Sequence, residues 1–118
     1  MQIIIIDDEK TNCKLLEIYA TRWGFQTISF TDSSEAYDYL KIVGEPAVVC
    51  IDWMMPKVSG LEVLGKIRRE RPDFPLYFIV LTAKTGMENI VEALDAGADD
   101  YVSKPFDSKE LRSRIGAG

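Results

Sequence analysis

The feature that most constrains the fold of this chain is the alternation of short, largely apolar runs with longer stretches of helical period. The runs have four to six residues each and lie at about 2–6, 26–30, 47–51, 76–81 and 100–103. Such runs are typical of parallel strands that are buried on both faces. Parallel neighbours need a right-handed crossover between them, and the intervening stretches are long enough to form helices. The pattern predicts an α/β fold, a doubly wound (βα)5 three-layer sandwich around a five-stranded parallel sheet.

Five helices are predicted from apolar residues at helical spacing. Leu16, Tyr19, Ala20 and Trp23 recur at i, i+3, i+4 and i+7 before Gly24, which predicts a first helix at about 10–23. The last helix is expected to end at Arg114 or Ile115. The other four helices are marked as follows: Ala36, Tyr37 and Leu40 after a cap at Asp32 or Ser33; Leu61, Leu64 and Ile67 before Pro72; Ile90, Val91 and Leu94 before Gly97; Leu111 and Ile115 after Asp107 and Ser108.

Length and composition limit the class of protein. The chain has 118 residues, 47% of them hydrophobic and 28% charged, which suits a single domain over 1–118 with its own core. Its longest apolar runs are too short to cross a bilayer, so we expect a cytoplasmic location without membrane contact. The net charge of −5 argues against direct nucleic-acid contact. Cys13 and Cys50 are expected to be reduced core residues.

The chain contains no histidine. This absence excludes catalytic triads that use histidine, histidine acid–base catalysis and most zinc or iron sites. Any chemistry must therefore use carboxylates, lysine and threonine.

Polar side chains that could bind a ligand or take part in a reaction directly follow four of the predicted strands. In a sheet of this kind the carboxyl ends of the strands form the ligand crevice. Two carboxylates about 4 Å apart repel by roughly 1 kcal/mol in water and about 4 at an effective dielectric near 20. A hard divalent cation relieves that repulsion, and Mg²⁺ suits the site, with Mn²⁺ as the alternative. The residues are Asp7 and Asp8, Asp52, Thr82 and Ala83, and Lys104 with Pro105.

Four segments at this order and spacing resemble the receiver domains of two-component response regulators. They are IIIIDDEKTN, CIDWMMPKVSGLEVL, VLTAK and GADDYVSKPF, and the similarity runs along essentially the whole chain. The resemblance implies a flavodoxin-like sheet in the order 2-1-3-4-5, which periodicity alone does not determine. The short fifth helix suggests either an isolated receiver or a receiver domain excised from, or N-terminal to, a longer regulator.

The resemblance assigns roles to the acids. Asp52 resembles the phosphoacceptor, Asp8 a direct metal ligand and Asp7 a metal-site acid that usually acts through water. The backbone carbonyl of Met54 would complete the protein ligands. Met54 and Lys84 occupy positions that tune hydrolysis of the acyl phosphate in this family.

The remaining rim residues resemble the groups that hold and sense the phosphoryl group. Thr82 and the backbone amide of Ala83 would hold phosphoryl oxygens, and Lys104 would pair with the phosphoryl charge. Thr82 and Tyr101 resemble the switch pair. A cis peptide is expected before Pro105. The implied partners are a sensor histidine kinase or histidine phosphotransfer protein, with a homodimer contact through the fourth helix, fifth strand and fifth helix.

Structural roles compete with these assignments. Asp7 and Asp8 could begin a helix, Thr82 could end a strand, Lys104 could be an ordinary surface lysine, and Tyr101 could be half-buried packing. Trp53 is expected over the site or on the surface as a partner contact.

Three competing functions fit the sequence less well. A phosphatase of the haloacid-dehalogenase type would need a DxD motif after the first strand, where this chain has adjacent acids. A flavin carrier would need a phosphate loop there. A degenerate receiver would serve only as an interaction module.

Overall fold

The computed structural model describes residues 1–83 and 86–117, with Ala117 described through its backbone. Strands and helices alternate along the chain. Their bounds are β1 Gln2–Ile6, α1 Lys10–Arg22, β2 Gln26–Phe30, α2 Ser33–Ile42, β3 Ala47–Asp52, α3 Gly60–Glu70, β4 Leu76–Thr82, α4 Met87–Ala96, β5 Asp100–Ser103 and α5 Ser108–Ala117.

The strands form one parallel sheet in the order β2-β1-β3-β4-β5. Alternate residues of each strand face opposite helical layers, since Ile3 and Ile5 pack with α1 and α5, whereas Ile4 and Ile6 pack with α2, α3 and α4. The predicted fold class and the strand order implied by the resemblance are both confirmed.

Local sequence explains where the helices begin and end. The Asp32 carboxylate accepts hydrogen bonds from the N–H groups of Ser34 and Glu35 and caps α2. The Ser59 hydroxyl caps α3 in the same way. Gly97 ends α4 in the left-handed conformation, with φ of 115°, which a glycine adopts without steric cost.

Arg68 of α3 joins three elements at the amino-terminal edge of the sheet, opposite the carboxyl ends of the strands. Its Nε donates to the Gly97 carbonyl at 2.9 Å, and its Nη1 donates to the Leu76 carbonyl at 2.9 Å. Its Nη2 pairs with the Asp99 carboxylate, which also accepts the N–H of Phe78 at 2.9 Å. The guanidinium therefore links α3, the end of α4 and the start of β4.

Two expectations from the sequence are wrong. Helix α5 continues to Ala117 beyond the expected end at Arg114 or Ile115, because a glycine at position 116 weakens a helix without stopping it. Trp53 is only 4% exposed and belongs to the core on the α2–α4 side, rather than lying over the site or on the surface. It shares a face with Ile51 two residues earlier, and backbone hydrogen bonds to Leu81 and Gly60 hold it there.

Helix α4 is present as predicted, but two of the apolar residues that marked it are exposed. Ala93 is fully buried, whereas Val91 and Leu94 are 45% and 46% exposed. A small residue at the contact lets the helix pack closely on the sheet and leaves the larger side chains outside. No helix among the described residues has the length and apolar content needed to cross a membrane.

Candidate functional site at the carboxyl edge of the sheet

The parallel topology brings the rim residues together. β1 ends directly before Asp7, β3 ends at Asp52, β4 ends at Thr82, and β5 ends directly before Lys104. In the sheet register Asp52 is paired with Leu81, and Thr82 is paired with Ser103. All of these residues therefore lie at the same edge, as the sequence predicts.

The three acids form a compact carboxylate cluster. Asp7, Asp8 and Asp52 each offer one oxygen, and these oxygens lie within 4.8 Å of one another. Asp7 is 1% exposed and Asp52 is 6% exposed, whereas Asp8 is open to solvent. Two of the three charges are thus removed from water, so their mutual repulsion is poorly screened.

Lys104 supplies the positive charge of the cluster. Its Nζ lies 2.9 Å from Oδ2 of Asp7 and 3.5 Å from Oδ1 of Asp52. Burial alone would lower the pKa of Lys104, but the hydrogen bond and charge of Asp7, with those of Asp52, raise it above its ordinary value. The expected cis peptide between Lys104 and Pro105 is present. Lys104 is therefore an ammonium held among carboxylates and not an ordinary surface lysine.

Asp52 is a buried carboxylate whose pKa is raised by its surroundings. Burial, followed by the charge of Asp7, raises its pKa from 3.8 to about 6, while Lys104 and the Met54 N–H oppose that rise. The Met54 N–H donates to Oδ1 of Asp52 at 3.4 Å. Near neutral pH the group is mainly ionised, and its charge is poorly compensated in the metal-free protein.

Asp7 is held by its surroundings on every side. Its N–H donates to the Phe30 carbonyl at 3.1 Å, and its Oδ1 accepts the Glu9 N–H at 3.0 Å. Its backbone carbonyl accepts a hydrogen bond from Sγ of Cys13 at 3.3 Å. Burial, then the charge of Asp7, raises the pKa of Cys13 to about 11, so the thiol is protonated and donates.

The other predicted site residues differ in burial. Thr82 is fully buried, and its backbone carbonyl accepts the Lys104 N–H at 2.8 Å. Ala83 is exposed, and the Met54 side chain is 58% exposed. Tyr101 is partly buried against the core on the α2–α4 side, and burial raises its pKa. Lys84 lies outside the described residues.

The donor set fits a hard divalent cation. Three carboxylates converge, two of them buried, and the nearest ammonium compensates only part of their charge. Mg²⁺ binds oxygen ligands and takes one or two protein carboxylates together with water or phosphate oxygens. The residues present therefore match the requirements of Mg²⁺.

Sequence reasoning missed two residues that shape this site. Cys13 was expected to be an ordinary core cysteine, yet its thiol bonds to Asp7; a thiol six residues after the first acid was the available signal. Gly60 begins α3 and was not among the predicted site residues. A Cβ at Gly60 would lie 2.0 Å from the backbone oxygen of Asp52, so only glycine allows α3 to approach the end of β3 this closely.

Comparison with known proteins gives consistent matches over the whole chain. A family model described as the response regulator receiver domain matches residues 3–116. The chain is 34% identical over 116 residues to the alkaline phosphatase synthesis transcriptional regulatory protein PhoP of Bacillus subtilis, covering 98% of this chain and 47% of that protein. It thus spans about half the length of the curated relatives it matches.

Solved structures show the same fold. The receiver domain of the Francisella response regulator 1452 matches with a TM-score of 0.89 and 31% identity, covering 98% of this chain and 93% of that one. The Saccharomyces cerevisiae receiver domain of Ssk1, in its complex with the histidine phosphotransfer protein Ypd1, matches with a TM-score of 0.89 and 22% identity, covering 98% and 86%. At that identity the second likeness is one of fold.

Proposed function

The chain belongs to the receiver-domain family of two-component response regulators, and on that premise we propose that it is a phosphorylation switch in which Asp52 accepts the phosphoryl group. The observation that carries the proposal is the position of Asp52. Its carboxylate ends β3 beside two further acids, with the Lys104 ammonium 3.5 Å away. The residue is thus a nucleophile next to a site for charge compensation.

The acids would hold Mg²⁺, with Mn²⁺ as an alternative of similar ligand preference. Asp8 and Asp52 are the proposed direct ligands, together with the backbone carbonyl of Met54, and Asp7 would act through water. When bound, the metal neutralises charge on the phosphoryl oxygens and orients them. The repulsion between the acids would be reduced in the bound state.

The reaction itself asks little of the protein. An oxygen of Asp52 attacks phosphorus in line with the donor, a P–O bond forms to give an acyl phosphate, and the bond from phosphorus to the donor breaks. Lys104 stabilises charge on the transferred group, and the Thr82 hydroxyl and the Ala83 N–H donate to its oxygens. Asp52 must be ionised to attack, which its pKa of about 6 permits at neutral pH.

The phosphoryl donor is proposed to be a phosphohistidine on a sensor kinase or a phosphotransfer protein. The chain has no histidine of its own, so the phosphohistidine must come from another protein. The Ssk1 receiver, which shares this fold, was crystallised with the histidine phosphotransfer protein Ypd1.

As a cytoplasmic domain without nucleic-acid contact, the chain would form one part of a longer regulator.

Phosphorylation would shift the domain towards an active state. New charge beside Thr82 and Lys104 favours a conformation in which both close on the phosphoryl group, with Tyr101 following. The proposed output is a homodimer or effector contact through the surface of α4, β5 and α5. Met87, Val91 and Leu94 leave that surface apolar, at 74%, 45% and 46% exposure.

The test is phosphorylation with acetyl phosphate and Mg²⁺, followed by intact-mass measurement. The parent protein should gain one phosphate, which alkali should release as expected of an acyl phosphate. Asp52→Asn should gain none, whereas Asp38→Asn, a variant of an exposed carboxylate on α2, should behave like the parent. An equal gain in Asp52→Asn would refute the assignment. Rapid turnover of simple phosphomonoesters would favour the phosphatase alternative.

A further inference from the structure

Asp7 is anchored through both its side chain and its backbone, and one of its anchors is a thiol. Its N–H, its two carboxylate oxygens and its backbone carbonyl all have partners: Phe30, Glu9, Lys104 and Cys13 respectively. The first three are a strand neighbour, the adjacent turn and the site cation. The thiol is the anchor that comes from a helix.

We propose that Cys13 is a positioning residue for the metal site, and that its thiol holds the peptide between Asp7 and Asp8 in the orientation that Mg²⁺ binding needs. The inference rests on the proposed function, since it concerns how the same acids bind metal. Cys13 would contact neither the metal nor the phosphoryl group.

The physical basis is the rigidity of the peptide unit. The carbonyl that accepts the Cys13 hydrogen bond, at 3.3 Å, belongs to the peptide joining Asp7 to Asp8. That unit is planar, so a hydrogen bond to its C=O limits rotation of the whole peptide plane, which changes ψ of Asp7 and φ of Asp8 together. One hydrogen bond from α1 thereby restricts the directions in which the two carboxylates point.

The thiol is well placed to act as a tether between elements. Cys13 is 4% exposed, lies in the first turns of α1, and donates its own N–H to the Glu9 carbonyl. Sγ also lies 3.9 Å from the Phe30 carbonyl at the end of β2. The side chain thus connects α1 to the ends of β1 and β2. Loss of the donor would leave the buried Asp7 carbonyl without this partner.

Cys50 offers a matched control. It is 1% exposed, belongs to the same core cluster as Cys13, and faces Ile5 and Ile79 in the sheet register. Truncating either cysteine to alanine removes one buried sulfur from that cluster. Only the Cys13 substitution removes a hydrogen bond to the acidic turn.

The experiment measures the Mg²⁺ dissociation constant by calorimetry, and unfolding by urea in EDTA, for the full chain. Partner groups behind metal ligands typically change metal affinity by about 10- to 100-fold, and a thiol is a weak donor. We expect Cys13→Ala to bind Mg²⁺ about tenfold more weakly, at the lower end of that range. Cys13→Ser, which keeps a donor, should recover most of the loss. Cys50→Ala should lose stability in EDTA while its Mg²⁺ affinity stays at the parent value.

Different outcomes separate the two proposals. Unchanged affinity in Cys13→Ala, or a serine variant as weak as the alanine variant, would overturn the role of the thiol and leave the metal site intact. Failure of the parent to bind Mg²⁺ would overturn the metal site as well. If Cys13→Ala does not fold, Cys13→Val fills the volume without a donor, and its comparison with Cys13→Ser decides the question.

Discussion

Replacing Asp52 by asparagine is expected to stabilise the metal-free protein at neutral pH. The carboxylate is 6% exposed, and burial together with the charge of Asp7 raises its pKa from 3.8 to about 6. A raised pKa means that folding disfavours the ionised form. Asparagine keeps the shape of the side chain and removes the charge, so it removes the source of that penalty.

The size and pH range of the effect follow from the pKa. A shift of about two units at 1.36 kcal/mol per unit corresponds to about 3 kcal/mol of destabilisation once Asp52 is ionised. The penalty is absent below the unfolded value of 3.8, develops as the pH rises towards about 6, and is complete above it. The advantage of Asp52→Asn should therefore be present at neutral pH and vanish in acid below the lower value.

The assay is equilibrium urea unfolding in EDTA, once at neutral pH and once in acid below the unfolded pKa of 3.8. Asp38→Asn is the control, because the Asp38 side chain is 73% exposed and its loss should change the unfolding free energy by less than about 0.5 kcal/mol. Saturating Mg²⁺ should stabilise the parent and reduce its difference from Asp52→Asn, because a ligand that binds only the folded state stabilises it. An Asp52→Asn protein no more stable than the parent at neutral pH in EDTA would refute the reasoning.

Two further substitutions test the rim. Lys104→Met should slow phosphorylation by acetyl phosphate by about 10²-fold or more, because the ammonium stabilises the transferred group. Mg²⁺ binding should not weaken, because the ammonium competes with the metal for Asp7. Mass spectrometry measures the rate and calorimetry the affinity, and an unchanged rate would contradict the role of Lys104. Gly60→Ala should lower the free energy of unfolding by about 1–3 kcal/mol or more, because the added Cβ would lie 2.0 Å from the Asp52 backbone oxygen. At Gly65 in the same helix, an added Cβ would meet only the flexible end of Arg69 at 3.4 Å, so Gly65→Ala should raise the free energy of unfolding by up to about 1 kcal/mol. Equal effects of the two glycine substitutions would count against the steric argument.

Local pattern was sufficient for the elements and for the composition of the rim. β1 and β2 begin and end at the predicted residues. For β1 the reason is an apolar run that is buried along most of its length, whereas β2 is a partly buried edge strand with polar residues among its apolar ones. Parallel topology alone places the three acids and Lys104 at one edge of the sheet. Their close approach also needs β1 and β3 to be neighbours, and that order came from the family resemblance. These features need no knowledge of side-chain packing.

The errors arise where packing between distant elements decides. Trp53 follows a strand and was expected outside, yet its backbone bonds to Leu81 and Gly60 continue the strand alternation and direct the indole into the core. Val91 and Leu94 look inward by period but stay exposed, because Ala93 makes the close contact. The thiol contact of Cys13 with Asp7 likewise depends on how α1 sits on the sheet, which no local pattern specifies.

The two ends of α4 are attached to the domain very differently. At its carboxyl end, Arg68 holds the Gly97 carbonyl, and the Ala98 N–H bonds back to Ala93. At its amino end, Gly86 makes no side-chain capping bond, and Met87 is 74% exposed. If this helix reorients, its anchored carboxyl end should stay in place with Gly97 as the hinge. The displacement would then be greatest near Met87, a few residues after the strand end that carries Thr82, and would move the exposed side chains of Met87 and Val91 with it.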